Sequence, residues 1–270
     1  MLTRLVFLSA LILVSTVFLT GAWPSSIAPL ARQTETTFVP KAVPLDADIV
    51  GAGLDAQQLL QKVLTVLEPE NTPWLRTKVR QTVTAADSSF FAEGFLQRGP
   101  NHCARLEMNI VAKNGISQLR VVSDGDVIAE ARLYAGQNPT VSVKRLLADN
   151  RTDKNELLAK MGCGGPYALV QEFKNQLTNA AMQTGLLEGN PVIRIQGDLK
   201  PPQGARAAFA GRSCCIDLDA ETLWPHRLEW QESGRSKNTL TVVRIDFLEP
   251  ELHRELSAAE CMKVFSYRPN

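Results

Sequence analysis

Three histidines, five cysteines and one glycine-rich turn are the residues whose chemistry would matter most, and their spacing decides what they can do. His102, His226 and His253 stand far apart, each without a second histidine or a cysteine at metal-ligand spacing, so no zinc triad and no Ser-His-Asp set has a local signature. The run Gly162-Cys163-Gly164-Gly165 could present a nucleophilic thiol or cradle a phosphate. It lacks the Lys-Ser/Thr that a phosphate loop requires, and a helix-breaking turn is the simpler reading. Cys103, Cys163, Cys214, Cys215 and Cys261 make an odd set with no C-x-x-C pair, which argues against thiol-disulfide exchange. One or two disulfides fit an oxidising compartment, and the sequence does not assign them. Adjacent Cys214 and Cys215 would point to opposite faces of a strand and so would not pair readily with each other. Asp124-Gly125 invites a catalytic reading, but between two strands it is a hairpin turn.

Composition narrows the classes further. The chain has 270 residues, 44% hydrophobic and 21% charged, with 29 Lys+Arg against 28 Asp+Glu. That balance excludes a disordered tail and a small disulfide scaffold. It also leaves no cationic excess to neutralise phosphates, so nucleic acid is not an expected partner.

Residues 1–22 read as an export signal. Arg4 supplies the positive charge, Leu5 to Leu19 is an uncharged, almost wholly apolar run, and Thr20-Gly21-Ala22 offers small residues for cleavage. Retained, the same run would tether the chain to a membrane. Residues 23–53, broken by Pro24, Pro29, Pro40 and Pro44, read as a flexible tether.

Residues 54–270 carry the periodic elements and read as a single domain. Asp55 caps a helix whose Leu59, Leu60, Val63, Leu64 and Leu67 share one face, and Pro69 and Pro73 end it. Alternation then begins with Leu75, Val79 and Val83, continues through Phe90 to Gln97, and returns with Ala104, Leu106, Met108 and Ile110. Further strands are expected over Gln118 to Val122, Val127 to Tyr134, Pro191 to Gln196, Cys214 to Leu218, His226 to Gln231 and Leu240 to Leu248. Helices are expected over Val143 to Ala148, Asn155 to Met161 and Tyr167 to Leu177. The fold class is therefore α+β, one long antiparallel sheet with helices as the only cover for its apolar face.

The order of signal, amphipathic helix and strand, then Phe91 to Pro100 (FAEGFLQRGP), Leu106 to Met108 and Val121-Val122-Ser123-Asp124-Gly125, resembles the outer-membrane lipoprotein carrier proteins of the LolA/LolB-like family. The turn Arg98-Gly99-Pro100-Asn101 is one residue longer than the family pattern. Ile128 to Ala131 lacks the aromatic pair usual after the hairpin. The resemblance implies a curved, incomplete β-barrel lidded by helices, non-catalytic and without a cofactor, exported to the periplasm. Its partners would be lipid or lipoprotein acyl chains and envelope membrane proteins. Cavity-lining candidates, taken as those alternating inward, are Val79, Val83, Phe91, Phe95, Leu106, Met108 and Ile110, for any one of which plain core is the simpler reading. By position, Arg98 matches the arginine that holds the lid shut in the family, a role its planar, permanently charged fork suits. Two rival readings stand beside the carrier. One is an envelope interaction domain with a filled core, and the other a hydrolase gathering His226, Asp217 or Glu229 in a cleft.

Overall fold

The computed structural model describes residues 38–42, 54–85, 88–112, 115–134, 136–146, 153–200, 212–233 and 240–266. Helix α1 (Ala56–Leu67) starts at a reciprocal cap. Asp55 accepts from the Gln58 backbone N–H at 2.8 Å, and the Gln58 side chain accepts from Asp55 N at 2.9 Å. Its buried residues Ala56, Leu59, Leu60, Val63, Leu64 and Leu67 fall at three- and four-residue intervals, one stripe along the helix.

Twelve antiparallel strands follow or flank it in one sheet. They are β1 (Phe38–Pro40), β2 (Leu75–Ala85), β3 (Ser88–Arg98), β4 (Cys103–Ala112), β5 (Gly115–Asp124), β6 (Val127–Leu133), β7 (Thr140–Arg145), β8 (Leu177–Leu187), β9 (Asn190–Leu199), β10 (Arg212–Asp219), β11 (Pro225–Ser233) and β12 (Leu240–Leu252). Their order is β1-β8-β9-β10-β11-β12-β2-β3-β4-β5-β6-β7. The sheet is curved and does not close into a barrel, so β1 and β7 are its two edges.

The alternation of β2 is visible in its burial, with Leu75, Thr77, Val79, Gln81 and Val83 inward. Across the register, Val79 stands opposite Gly94 and Gln81 opposite Ala92. On the other side of β3, Gly94 faces Met108 and Leu96 faces Leu106. The inward row of β3 is therefore Ala92, Gly94 and Leu96. Gly94 is required there, since an added Cβ would sit 1.7 Å from the Glu107 carbonyl oxygen.

Over the concave side lie α1 and α3 (Gly165–Gln176), which buries Pro166, Leu169, Val170 and Phe173. The ring of Phe173 meets Trp230 of β11 edge-on at 5.6 Å. Trp224 packs on Phe247 and donates its indole N–H to the Phe247 carbonyl at 3.0 Å. The short α2 (Lys154–Lys160) precedes α3, and the turn between them buries Cys163. Near the C-terminus, α4 (Ala258–Phe265) packs on β4 and β5. No helix among the described residues is long and apolar enough to cross a membrane.

Four elements differ from the sequence expectation, one of them α4, for which no helix was expected. The helix expected over Val143 to Ala148 is instead strand β7, exposed along its whole length, and residues 147 and 148 lie outside the described set. Its alternation Thr-Val-Ser-Val is extended-chain chemistry. Strand β8 was not expected because its middle, Asn179 to Gln183, is exposed on both faces and shows no period. Phe38–Pro40, inside the stretch read as a tether, pairs with β8 as β1. The export signal and most of the tether lie outside the described residues.

Candidate functional site

Arg98 is the last residue of β3 and stands opposite Leu75 and Ala104, at the end of the sheet where α1 finishes. Its Nη2 donates to the carbonyl of Leu67 at 2.9 Å and to that of Thr72 at 2.7 Å. Leu67 closes the last turn of α1, where carbonyls lack intrahelical partners and the helix dipole is negative, so a guanidinium is the fitting donor. Burial pulls the Arg98 pKa down to about 10, against the nearby Glu70 and Tyr167, which favour its charge. Its Nε is buried without a hydrogen-bond partner among the described residues. The cation is thus taken from water and held by backbone carbonyls.

Arg98 also borders a cavity of about 650 Å³ between the β3–β4 turn, α2 and α3. Its wall includes Gly99, His102, Cys103, Tyr167 and Glu172 beside Arg98, so its lining is mixed in polarity. The turn itself is stiff. Gly99 N–H bonds to the Cys103 carbonyl at 2.9 Å and Cys103 N–H to the Pro100 carbonyl at 3.1 Å, with Asn101 and His102 both in the left-handed region at φ 55° and 62°. Gly165, at φ +59°, brings α3 down onto the sheet, where an added Cβ would lie 2.4 Å from a Leu96 methyl.

The structure separates the seven residues expected to line a cavity. Val79, Val83, Leu106, Met108 and Ile110 lie on the concave face, buried in the core beneath the helices. Phe91 and Phe95 do not. The strand's parity is set by Ala92, Gly94 and Leu96, so Phe91 and Phe95 take the convex face. There the Arg76 guanidinium lies 4.6 Å from the Phe95 ring centre and that of Arg80 5.8 Å from Phe91, and Phe95 is 39% exposed. None of the seven borders the cavity beside Arg98.

The residues considered for hydrolysis are occupied elsewhere. Asp217, fully buried, receives two hydrogen bonds from Arg194 at 2.6 and 2.7 Å. Glu229 pairs with Arg244 at 3.0 Å, and His226 lies 3.3 Å from Asp219. His102 Nδ1 is 3.0 Å from the Asn155 amide oxygen. None of these contacts joins a nucleophile to a base. In the glycine-rich turn, burial pushes the Cys163 thiol up to about 12, which keeps it protonated and unreactive. Among the described residues no three His, Cys, Asp or Glu are grouped to hold a metal.

No protein-family model matches the sequence, and no curated protein does. Among solved structures, the chain is similar to one from the MucA/MucB complex of Pseudomonas aeruginosa, at 11% identity and a TM-score of 0.38 over 77% of this chain and 60% of that one. It therefore spans about three fifths of that chain's length. It is also similar to a putative outer membrane lipoprotein-sorting protein domain from Vibrio parahaemolyticus, at 8% identity and a TM-score of 0.34, covering 77% of this chain and 96% of that one. A LolA superfamily protein from Nitrosomonas europaea is similar at 11% identity and a TM-score of 0.31, over 79% and 98%.

Proposed function

We propose that this chain is an exported, non-catalytic binding protein of the cell envelope that receives the acyl chains of a lipid or lipoprotein beneath its helical cover. The observation that carries the reading is the Arg98 latch. An apolar concave sheet face is covered by α1 and α3, and the end of α1 is fixed to the sheet by one half-buried cation on two backbone carbonyls. Such a closure has few polar bonds to break. When α1 lifts, the face bearing Val79, Leu106 and Met108 is offered to an apolar guest, and each methylene buried there contributes about 0.8 kcal/mol.

The test is native mass spectrometry of the chain purified without detergent from an envelope extract. A bound mass that dissociates as lipid or acyl peptide supports the carrier. A bare chain that takes up neither lipid nor lipoprotein when offered them overturns it. One observation favours a second reading, an envelope interaction domain with a filled core: in the closed state Leu60, Val63, Val170, Phe173 and Trp230 already occupy the space over the sheet. The bare-chain result would select that reading.

A further inference from the structure

Two half-exposed cysteines lie on elements that pack together, Cys103 on β4 and Cys261 on the C-terminal helix that covers it. On β4, Cys103 and Arg105 share the convex face, alternating with the buried Ala104 and Leu106. The Arg105 guanidinium donates to the Val264 carbonyl of α4 at 2.7 Å. The buried ring of Phe265 lies against Gly99, 2.9 Å from where a Cβ would be. These contacts set the C-terminal end of α4 over the mouth of β4. Cys261 is four residues before Phe265, on the same side of the helix one turn back.

The thiols have weak partners of their own. Cys103 Sγ reaches the Asp124 carbonyl at 3.4 Å, and Cys261 Sγ the Leu256 carbonyl at 3.7 Å. Burial, and after it the neighbouring Cys261, raise the Cys103 thiol above its ordinary value. Cys163 and Cys214 are buried among core side chains, and Cys215 is on the other half of the sheet, on β10.

We propose that Cys103 and Cys261 form an intramolecular disulfide that pins α4 to the β3–β4 turn. In the cell the bond rests on the export reading, because it needs an oxidising compartment. The oxidant is a disulfide, small or protein-borne. One cysteine thiolate attacks it and expels one thiolate. The second cysteine, deprotonated in turn, attacks the mixed disulfide and expels the other. The two cysteines lose two electrons and two protons, and the oxidant leaves as two thiols. Cys103 belongs to the cavity wall and Arg98 opens the same turn, so the bond fixes the wall against which the latch works.

The experiment takes the full chain, reduced and folded, through a glutathione redox buffer and maps its peptides without reduction. The expected result is the loss of two hydrogens per chain, a linked pair of peptides containing Cys103 and Cys261, and a melting temperature higher by roughly 5–10 °C. Cys261→Ser abolishes the linked pair and Cys215→Ser leaves it in place. A linkage that joins any other two cysteines, or complete alkylation of both Cys103 and Cys261 in the oxidised folded chain, overturns the proposal. Because the buffer supplies the oxidant, this outcome is independent of export. Cell fractionation tests export separately, and a reducing address for the chain would sink that reading while leaving the pairing measured in the buffer intact.

Discussion

At the scale of single residues, a few side chains separate structural from functional roles. Arg98→Met keeps most of the apolar stem but leaves the Leu67 and Thr72 carbonyls without their donor, at an expected cost of about 1–3 kcal/mol. Amide exchange should then quicken at the end of α1 more than in β2. Unchanged exchange there would mean that the latch bears no load. Phe95 and Leu96 form a second contrast. Phe95→Glu, on the convex face beside Arg76, should stay within about 0.5 kcal/mol of the parent and leave lipid retention intact. Leu96→Ala should cost about 2–5 kcal/mol by opening a cavity under α3. Denaturant titrations that give equal losses would contradict the assignment of faces. Asp219 supplies a pH signature. Burial would raise its carboxyl, but hydrogen bonds from the backbone and hydroxyl of Thr222, from Glu221 N–H and from His226 outweigh this and hold it below the usual carboxylate value. The unfolded chain therefore binds the proton first as the pH falls. The stability from these bonds is complete above about pH 4 and is lost as the pH drops through the depressed native value. In Asp219→Asn, thermal melts should lose that part of the acid dependence.

At the scale of elements, α1 and most strands were legible because their signals are local. Asp55 with Gln58 makes a cap, the leucines of α1 follow the helical period, and β2 and β4 alternate cleanly. The facing of β3 was not legible, because its inward row holds the small Ala92 and Gly94 beside Phe90 and Leu96, while two of its three phenylalanines, Phe91 and Phe95, lie outside. Hydrophobicity alone points the strand the wrong way. The missing signal is the glycine, whose absent side chain lets β4 approach. Gly94→Val should accordingly separate β3 from β4, cost more than about 3 kcal/mol, and show as lost protection in both strands by hydrogen exchange. Near-native stability of that variant would refute the close approach. Strand β7 was hidden for another reason: every side chain along it is exposed, so neither burial period could mark it. Arg98 was nameable in advance only through the family resemblance, and which carbonyls it holds depends on where α1 ends in space, which nothing local encodes.

At the scale of the whole molecule, the order of strands fixes which parts can move. Strands β9 to β12 and β2 to β6 each have neighbours on both sides, whereas α1 to α3 rest on the sheet mainly through apolar side chains. A cover that opens must therefore exchange its amides faster than the central strands. Hydrogen exchange slower in α3 than in β2 and β12 would count against a moving cover. Edge strand β1 has a mechanical consequence as well. It is short: Phe38 to Pro40 pair with β8, Lys41 adds two hydrogen bonds to Thr184, and the Phe38 ring lies 3.9 Å from the Arg194 guanidinium. A load applied through the N-terminal segment reaches this short strand before any other part of the sheet. The strand would yield first, and the remaining eleven strands would stay paired. It is a fuse placed upstream of the fold.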